Sequence, residues 1–162
     1  MTVAVCPGSF DPVTKGHLDI VRRASKLFDK VIVLVSVNPD KKPTFSTEER
    51  VDMIRASVNI ENVTVDSYCG LLADYVRDVG ATAIVKGLRA TTDFEYEFQM
   101  ALANKKLAPF AETVFLTTAQ ENMFLSSSVV RQIARFGGDI SAFVPEPVRQ
   151  MIAERLAPAD KT

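Results

Sequence analysis

Short runs of β-branched and aliphatic residues recur along the chain, separated by longer stretches where apolar positions return every three or four residues. The runs are VAVC at 3–6, VIVLVSV at 31–37, VTV at 63–65, TAIV at 82–85 and TVFLT at 113–117. Most are apolar on both alternating faces, the pattern of strands covered by helices on both sides. The segments between them have helix length, so the order βαβαβ predicts right-handed crossovers and a mainly parallel sheet.

Helix boundaries carry their own signals. STEERVDMIRAS places Ser46 three residues before Glu49, a capping box, with Val51, Ile54 and Val58 on one face. TDFEYEFQMALANKKL opens on Asp93, the expected N-cap, and closes on Lys105 and Lys106, whose charge suits the C-terminal end of the dipole. SSSVVRQIARFGGD reads as a capped helix ending at Gly137 and Gly138, and PEPVRQMIAERL as a last amphipathic helix. No internal repeat or long linker interrupts the pattern. The expectation is therefore one domain over residues 1–162: a Rossmann-like α/β fold, doubly wound, with a mainly parallel five-stranded sheet, helices on both faces and a helical C-terminal end.

Composition narrows the functional classes. Nineteen basic residues against twenty acidic ones leave a net charge of −1, so no overall field draws the chain to nucleic acid or to a membrane. Any anionic ligand must be held by local charge. No apolar stretch approaches the roughly 20 residues of a membrane span, and the N-terminus lacks a basic n-region, so a cytoplasmic location is expected. Cys6 and Cys69 are too few for a disulfide framework and read as reduced, buried thiols.

In a doubly wound sheet ligands bind outside the carboxyl ends of the strands, where helix N-termini offer unpaired N–H groups. CPGSFDPVTKGH, which holds the only histidine of the chain, follows the first run. Gly8 allows close backbone approach, Ser9 offers a hydroxyl, and His17 stands one turn into the next helix. The loop is neither a Walker A sequence nor a Gly-x-Gly-x-x-Gly dinucleotide loop. NPDKKPTF follows the second run with Lys41 and Lys42, which are either solvated or ligand-facing. KGLRATTDFEYE follows the fourth, where Lys86 and Arg89 flank Gly87 and would clamp phosphates. Glu97, one turn into that helix, would accept from a ribose or from a basic group, while Asp93 serves the dipole. In NMFLSSSVVRQ three serines present hydroxyls and helix N–H groups, of which one is needed as a cap. There is no Cys/His metal spacing, paired-carboxylate motif or Gly-x-Ser-x-Gly elbow. What remains is rich in phosphate-binding groups and poor in nucleophiles, as suits catalysis by positioning and charge stabilisation.

GSFDPVTKGH resembles the Thr-x-Gly-His signature of the nucleotidyltransferase superfamily, and FLSSSVVR its second signature, a serine run followed by Arg. NPDKKPTFSTEER and VKGLRATTDFEYEFQMALANKKL narrow the resemblance to the bacterial phosphopantetheine adenylyltransferases, over residues 3 to about 150. The resemblance implies transfer of the adenylyl group of ATP to 4'-phosphopantetheine, with magnesium as cofactor and a homohexamer as assembly. It implies that His17, Lys41 and Arg89 stabilise charge during transfer. Ser9, Phe10, His17, Gly87, Leu88, Arg89, Glu97, Asn122, Met123, Phe124, Leu125, Ser126, Ser127 and Ser128 would bind ATP. Ser9, Lys41, Leu72 and Lys86 would bind 4'-phosphopantetheine. Three positions depart from the commoner pattern: Ser9 replaces Thr, Lys86 replaces Arg, and Asn122 replaces Trp or Tyr. Two rivals remain at this stage: a related nucleotidyltransferase with another acceptor, and a nucleotide-sensing module without turnover.

Overall fold

The computed structural model describes residues 1–158, and for Thr91 and Thr92 the backbone alone; residues 159–162 of the expected domain lie outside the described residues. The elements run β1 (Val3–Gly8), α1 (Lys15–Ala24), β2 (Lys30–Val37), α2 (Thr47–Ser57), β3 (Val63–Cys69), α3 (Leu72–Asp78), β4 (Ala83–Leu88), α4 (Thr91–Leu107), β5 (Glu112–Thr117), a 3-10 turn (Gln120–Asn122), α5 (Ser127–Arg135) and α6 (Glu146–Leu156). All strand pairings are parallel, in the order β3-β2-β1-β4-β5. From β1 the chain builds outward to β2 and β3, then returns to place β4 on the other side of β1. The carboxyl ends of β1 and β4 thus border the topological switch point, where helices leave in opposite directions and a crevice opens.

The doubly apolar runs make two cores. Ala4, Cys6, Val31, Val33, Val35 and Val85 point to one face and pack with residues of α1, α2, α5 and α6. Val3, Val5, Ile32, Leu34 and Ile84 point to the other, against Ala73, Tyr75 and Val76 of α3 and Ala108 and Ala111 after α4. The alternation follows from the two-residue period of a strand. The capping box at α2 forms as the sequence indicates: Ser46 Oγ accepts from Glu49 N–H at 3.2 Å, and Glu49 Oε2 accepts from Ser46 N–H at 2.8 Å. Ser126 caps α5, accepting from Val129 N–H at 3.2 Å.

Four expectations need correction. Strand β4 runs on to Leu88, so Lys86, Gly87 and Leu88 belong to the strand end instead of the loop. Strand β3 is an edge strand, paired only with β2, and its polar Asp66 and Ser67 extend it to Cys69 beyond the apolar Val63–Val65. Asp93 is not the N-cap of α4; Ala90 holds that place without a side-chain cap, because the carboxylate is taken by Arg89. Cys6 is buried but Cys69 is exposed, since β3 ends at the sheet's open edge.

Candidate active site

Two adjoining clefts lie at the carboxyl ends of the strands. The first, of about 340 Å³, is walled by the β1–α1 loop, the end of β4, the start of α4 and the start of α5. The second, of about 460 Å³, is walled by the β1–α1 loop, the loop after β2 and α5. Ser9 and Ser127 line both, so the clefts meet along one seam.

The β1–α1 loop is held from several sides. Phe10 has φ +48°, a left-handed conformation rare for a residue with a side chain. Its ring is buried and lies against Gly8, where a Cβ would come to 3.0 Å from Phe10 Cζ, so a larger residue there would crowd the ring. The Asp11–Pro12 peptide is cis. Asp11 accepts from the Thr44 and Phe45 N–H groups at 2.8 and 2.9 Å, which ties the lysine-bearing loop to this one. From α5, Ser127 Oγ donates to the Pro12 carbonyl at 2.7 Å, and Arg131 donates to the Asp11 carbonyl.

The same loop sets the chemical state of His17. Thr14 is the N-cap of α1 and its hydroxyl accepts from His17 N–H at 3.3 Å. In return, Thr14 N–H donates to His17 Nδ1 at 3.0 Å. This is a capping box with imidazole in place of the usual carboxylate. A ring nitrogen that accepts from a peptide N–H carries no proton, so the hydrogen-bond network assigns the proton of neutral His17 to Nε2. Burial pushes the pKa down to about 4, with the positive charge of Arg89 adding to the effect. At neutral pH the ring is therefore an uncharged donor on the wall of the first cleft. Phe10 meets it edge to face, with ring centroids 5.0 Å apart.

Across the cleft, cations and carboxylates alternate. Arg89 Nε and Nη2 donate to the two oxygens of Asp93 at 3.0 and 3.2 Å, Arg89 N–H adds a third bond at 3.2 Å, and Nη1 donates to the Leu125 carbonyl at 3.1 Å. The guanidinium is thus fixed by α4 and by the segment entering α5. Lys86 Nζ lies 3.3 Å from Glu97 Oε2, an oxygen that is buried and otherwise without a hydrogen-bond partner among the described residues. Gly87 allows β4 and α1 to close: a Cβ there would lie 2.9 Å from Ile20 Cγ1.

The first cleft brings together Ser9, Phe10, His17, Lys86, Gly87, Arg89, Glu97, Asn122, Leu125, Ser126 and Ser127. Lys41 and Ser128 line the second cleft, so the three candidate charge-stabilising groups are split between the two. Leu88, Met123 and Phe124 line neither; Met123 and Phe124 are 52% and 59% exposed, and the Phe124 ring packs edge-on against Phe143. Leu72 also lines neither. It opens α3 and packs partly buried on the second core. Sequence reasoning gave no site role to Thr14, Asp11, Asp93, Arg50 or Arg131. Thr14 stands three residues before His17, the spacing of a capping box, and that signal was present in the sequence.

Comparison with known proteins places the chain in a family. A family model described as cytidylyltransferase-like matches residues 5–133. In fold, the chain is similar to a putative nicotinate-nucleotide adenylyltransferase from Vibrio parahaemolyticus, with TM-score 0.71 and 18% identity over 96% of each chain. It is also similar to a bifunctional NMN adenylyltransferase/ADP ribose pyrophosphatase from Francisella tularensis, at TM-score 0.69 and 18% identity, covering 94% of this chain and 48% of that one. The chain is thus a cytidylyltransferase-like protein of the nucleotidyltransferase superfamily. Curated relatives are more specific. The phosphopantetheine adenylyltransferase of Heliobacterium modesticaldum is 58% identical over 156 residues, 96% of this chain and 93% of that protein. That of Caldanaerobacter subterraneus subsp. tengcongensis is 54% identical over 157 residues, covering 96% and 98%. Within the superfamily, this chain belongs to the phosphopantetheine adenylyltransferases.

Proposed function

We propose that this chain transfers the adenylyl group of ATP to 4'-phosphopantetheine, releasing pyrophosphate and forming dephospho-coenzyme A, the penultimate step of coenzyme A synthesis. The observation that carries the mechanism is the seam at Ser9 and Ser127 between a cleft of alternating charges and a cleft rich in cations. Two phosphate-bearing substrates fit such a pair of adjoining sites. The first would hold the nucleotide between His17, Arg89 and the start of α5; the second, with Lys41, would receive the acceptor phosphate.

Little else is required of the chain. A phosphate monoester has a second pKa near 6 and is mostly dianionic at neutral pH, so it is nucleophilic without a base. Its oxygen bonds to the α-phosphorus while the bond from that phosphorus to the α,β-bridging oxygen breaks, and pyrophosphate leaves with that electron pair. The neutral Nε2–H of His17 donates to a non-bridging α-phosphate oxygen as charge builds there. Arg89 and Lys41 bring positive charge to the two clefts, and N–H groups at the N-terminus of α5 add partial positive charge.

Magnesium is part of the proposal. Asp93 and Glu97 are already paired with Arg89 and Lys86, and no group of three or more His, Cys, Asp or Glu among the described residues is placed to hold a metal ion. That donor set fits an ion carried in on the triphosphate, since magnesium in nucleotide sites keeps several waters and is held through substrate phosphates with few protein carboxylates. When bound it would neutralise the leaving pyrophosphate.

A homohexamer and a cytoplasmic location complete the proposal. Support for assembly comes from α4, where Phe94, Tyr96, Phe98, Met100 and Leu102 are each 40% to 64% exposed, so that apolar side chains stand uncovered on more than one face of the helix. On the C-terminal helices Val148, Ile152 and Leu156 are buried in the core, while Phe136 and Met151 remain exposed. Among the described residues no helix is long and apolar enough to cross a membrane.

An acceptor panel tests the function. Purified protein with ATP and Mg²⁺ is expected to release pyrophosphate with 4'-phosphopantetheine and not with nicotinamide mononucleotide or glycerol 3-phosphate. Turnover with another acceptor alone would overturn the assignment. Nucleotide binding without any turnover would favour a sensing module.

A further inference from the structure

Arg50 occupies a position that physical chemistry disfavours. It is 3% exposed, so its guanidinium has lost most of its water. It is the fourth residue of α2, close to the helix end whose partial charge is also positive. Its hydrogen bonds go to neutral groups: Nη1 donates to the Ser9 carbonyl at 2.9 Å, Nε to the Ser46 carbonyl at 3.3 Å and Nη2 to the Thr47 hydroxyl at 3.2 Å. Of its acidic neighbours, Glu49 pairs with Arg155, Glu48 is exposed and meets Arg50 only through space, and Asp11 accepts from Thr44 and Phe45 and lies near Arg131. A buried cation normally has an anionic partner. This one instead lines the second cleft and grips the carbonyl of the residue at the seam.

We propose that Arg50 is a positioning residue for adenylyl transfer. Through the Ser9 carbonyl it fixes the peptide that leads into the left-handed Phe10, and so holds Ser9 where both clefts meet. Its charge, with those of Lys41, Lys42 and Arg131 on the same cleft, raises the positive potential that receives the acceptor phosphate. The charge that no hydrogen-bonded carboxylate offsets then acts through space on the acceptor phosphate. This inference rests on the proposed function.

The test compares Arg50→Met, which keeps volume without charge, and Arg50→Lys, which keeps charge without the planar fork, with the wild-type chain. Thermal unfolding gives the folded fraction, and kcat and both KM values are expressed per folded molecule. Arg50→Met is expected to fold and to lose on the order of 10²-fold in kcat/KM for 4'-phosphopantetheine, the scale of a small misplacement of reacting groups. Arg50→Lys is expected to recover part of that loss, chiefly in the KM of the acceptor. A folded Arg50→Met within twofold of wild type would overturn the inference, as would failure of both variants to fold, which would make the role structural. A wild-type chain inactive toward 4'-phosphopantetheine would overturn the proposed function instead.

Discussion

Lowering the pH should leave His17 uncharged long after an ordinary histidine has titrated. The folded pKa is about 4, against about 6.5 for a solvated imidazole. At pH 6 about 1% of His17 would then be protonated, compared with about 76% for an unperturbed ring, from these two values. Because the chain has one histidine, a ¹⁵N-resolved NMR titration reads this group without assignment. The spectrum at neutral pH is expected to show the Nε2–H tautomer, as the Thr14 N–H bond to Nδ1 requires. The linkage has a definite sign. Between pH 6.5 and 4 the unfolded chain binds a proton that the folded chain does not, so stability falls as pH drops through that window and levels off below it. The loss is at most about 3 kcal/mol from the size of the shift, and a His17→Gln variant should lack that slope. A midpoint near 6.5 would refute the shift that keeps the ring uncharged, and a proton on Nδ1 would refute the tautomer and with it the role of Nε2 as donor.

Other outcomes follow from the same contacts. His17→Ala should fold normally and lose about 10²–10³-fold in kcat, the scale of one removed transition-state donor; steady-state turnover near the wild-type rate would sink its role. Asp93→Asn should loosen Arg89 and raise the KM for ATP about fivefold to tenfold, the pair being partly exposed and screened; initial-rate kinetics with an unchanged KM would show that Arg89 does not depend on Asp93. Ser46→Ala should cost about 1 kcal/mol of stability by removing the α2 cap, read from denaturant unfolding, with kcat unchanged.

The sheet was legible because its strands are apolar on both faces, and burial on both sides leaves few other arrangements for such runs. Strand ends were not, because polar residues such as Asp66 and Lys86 continue the ladder where the apolar signal stops. The site was legible where residue type and position agreed: Ser9, His17, Lys86 and Arg89 all lie at the carboxyl ends of strands around the switch point. Leu72, Met123 and Phe124 came only from family resemblance, and none lines either cleft. The division of Lys41 from His17 and Arg89 depends on how the loop after β2 folds toward α5, which no local pattern encodes. Asp11 and Arg50 went unassigned because each acts on a backbone brought near by tertiary folding, while Asp93 was read as a helix cap although its carboxylate is taken by Arg89 four residues before it. A buried arginine is indistinguishable in sequence from the exposed arginines of an ordinary amphipathic helix.

In the proposed mechanism the chain positions two phosphates while supplying no nucleophile of its own. The stereochemical course at the α-phosphorus tests this most directly, using ATP made chiral there by isotopic oxygen and sulfur and 4'-phosphopantetheine as acceptor. A single in-line displacement inverts the configuration, and inversion is the expected result. Retention would require two displacements through an adenylylated side chain, and would contradict the role assigned to the seam between the clefts.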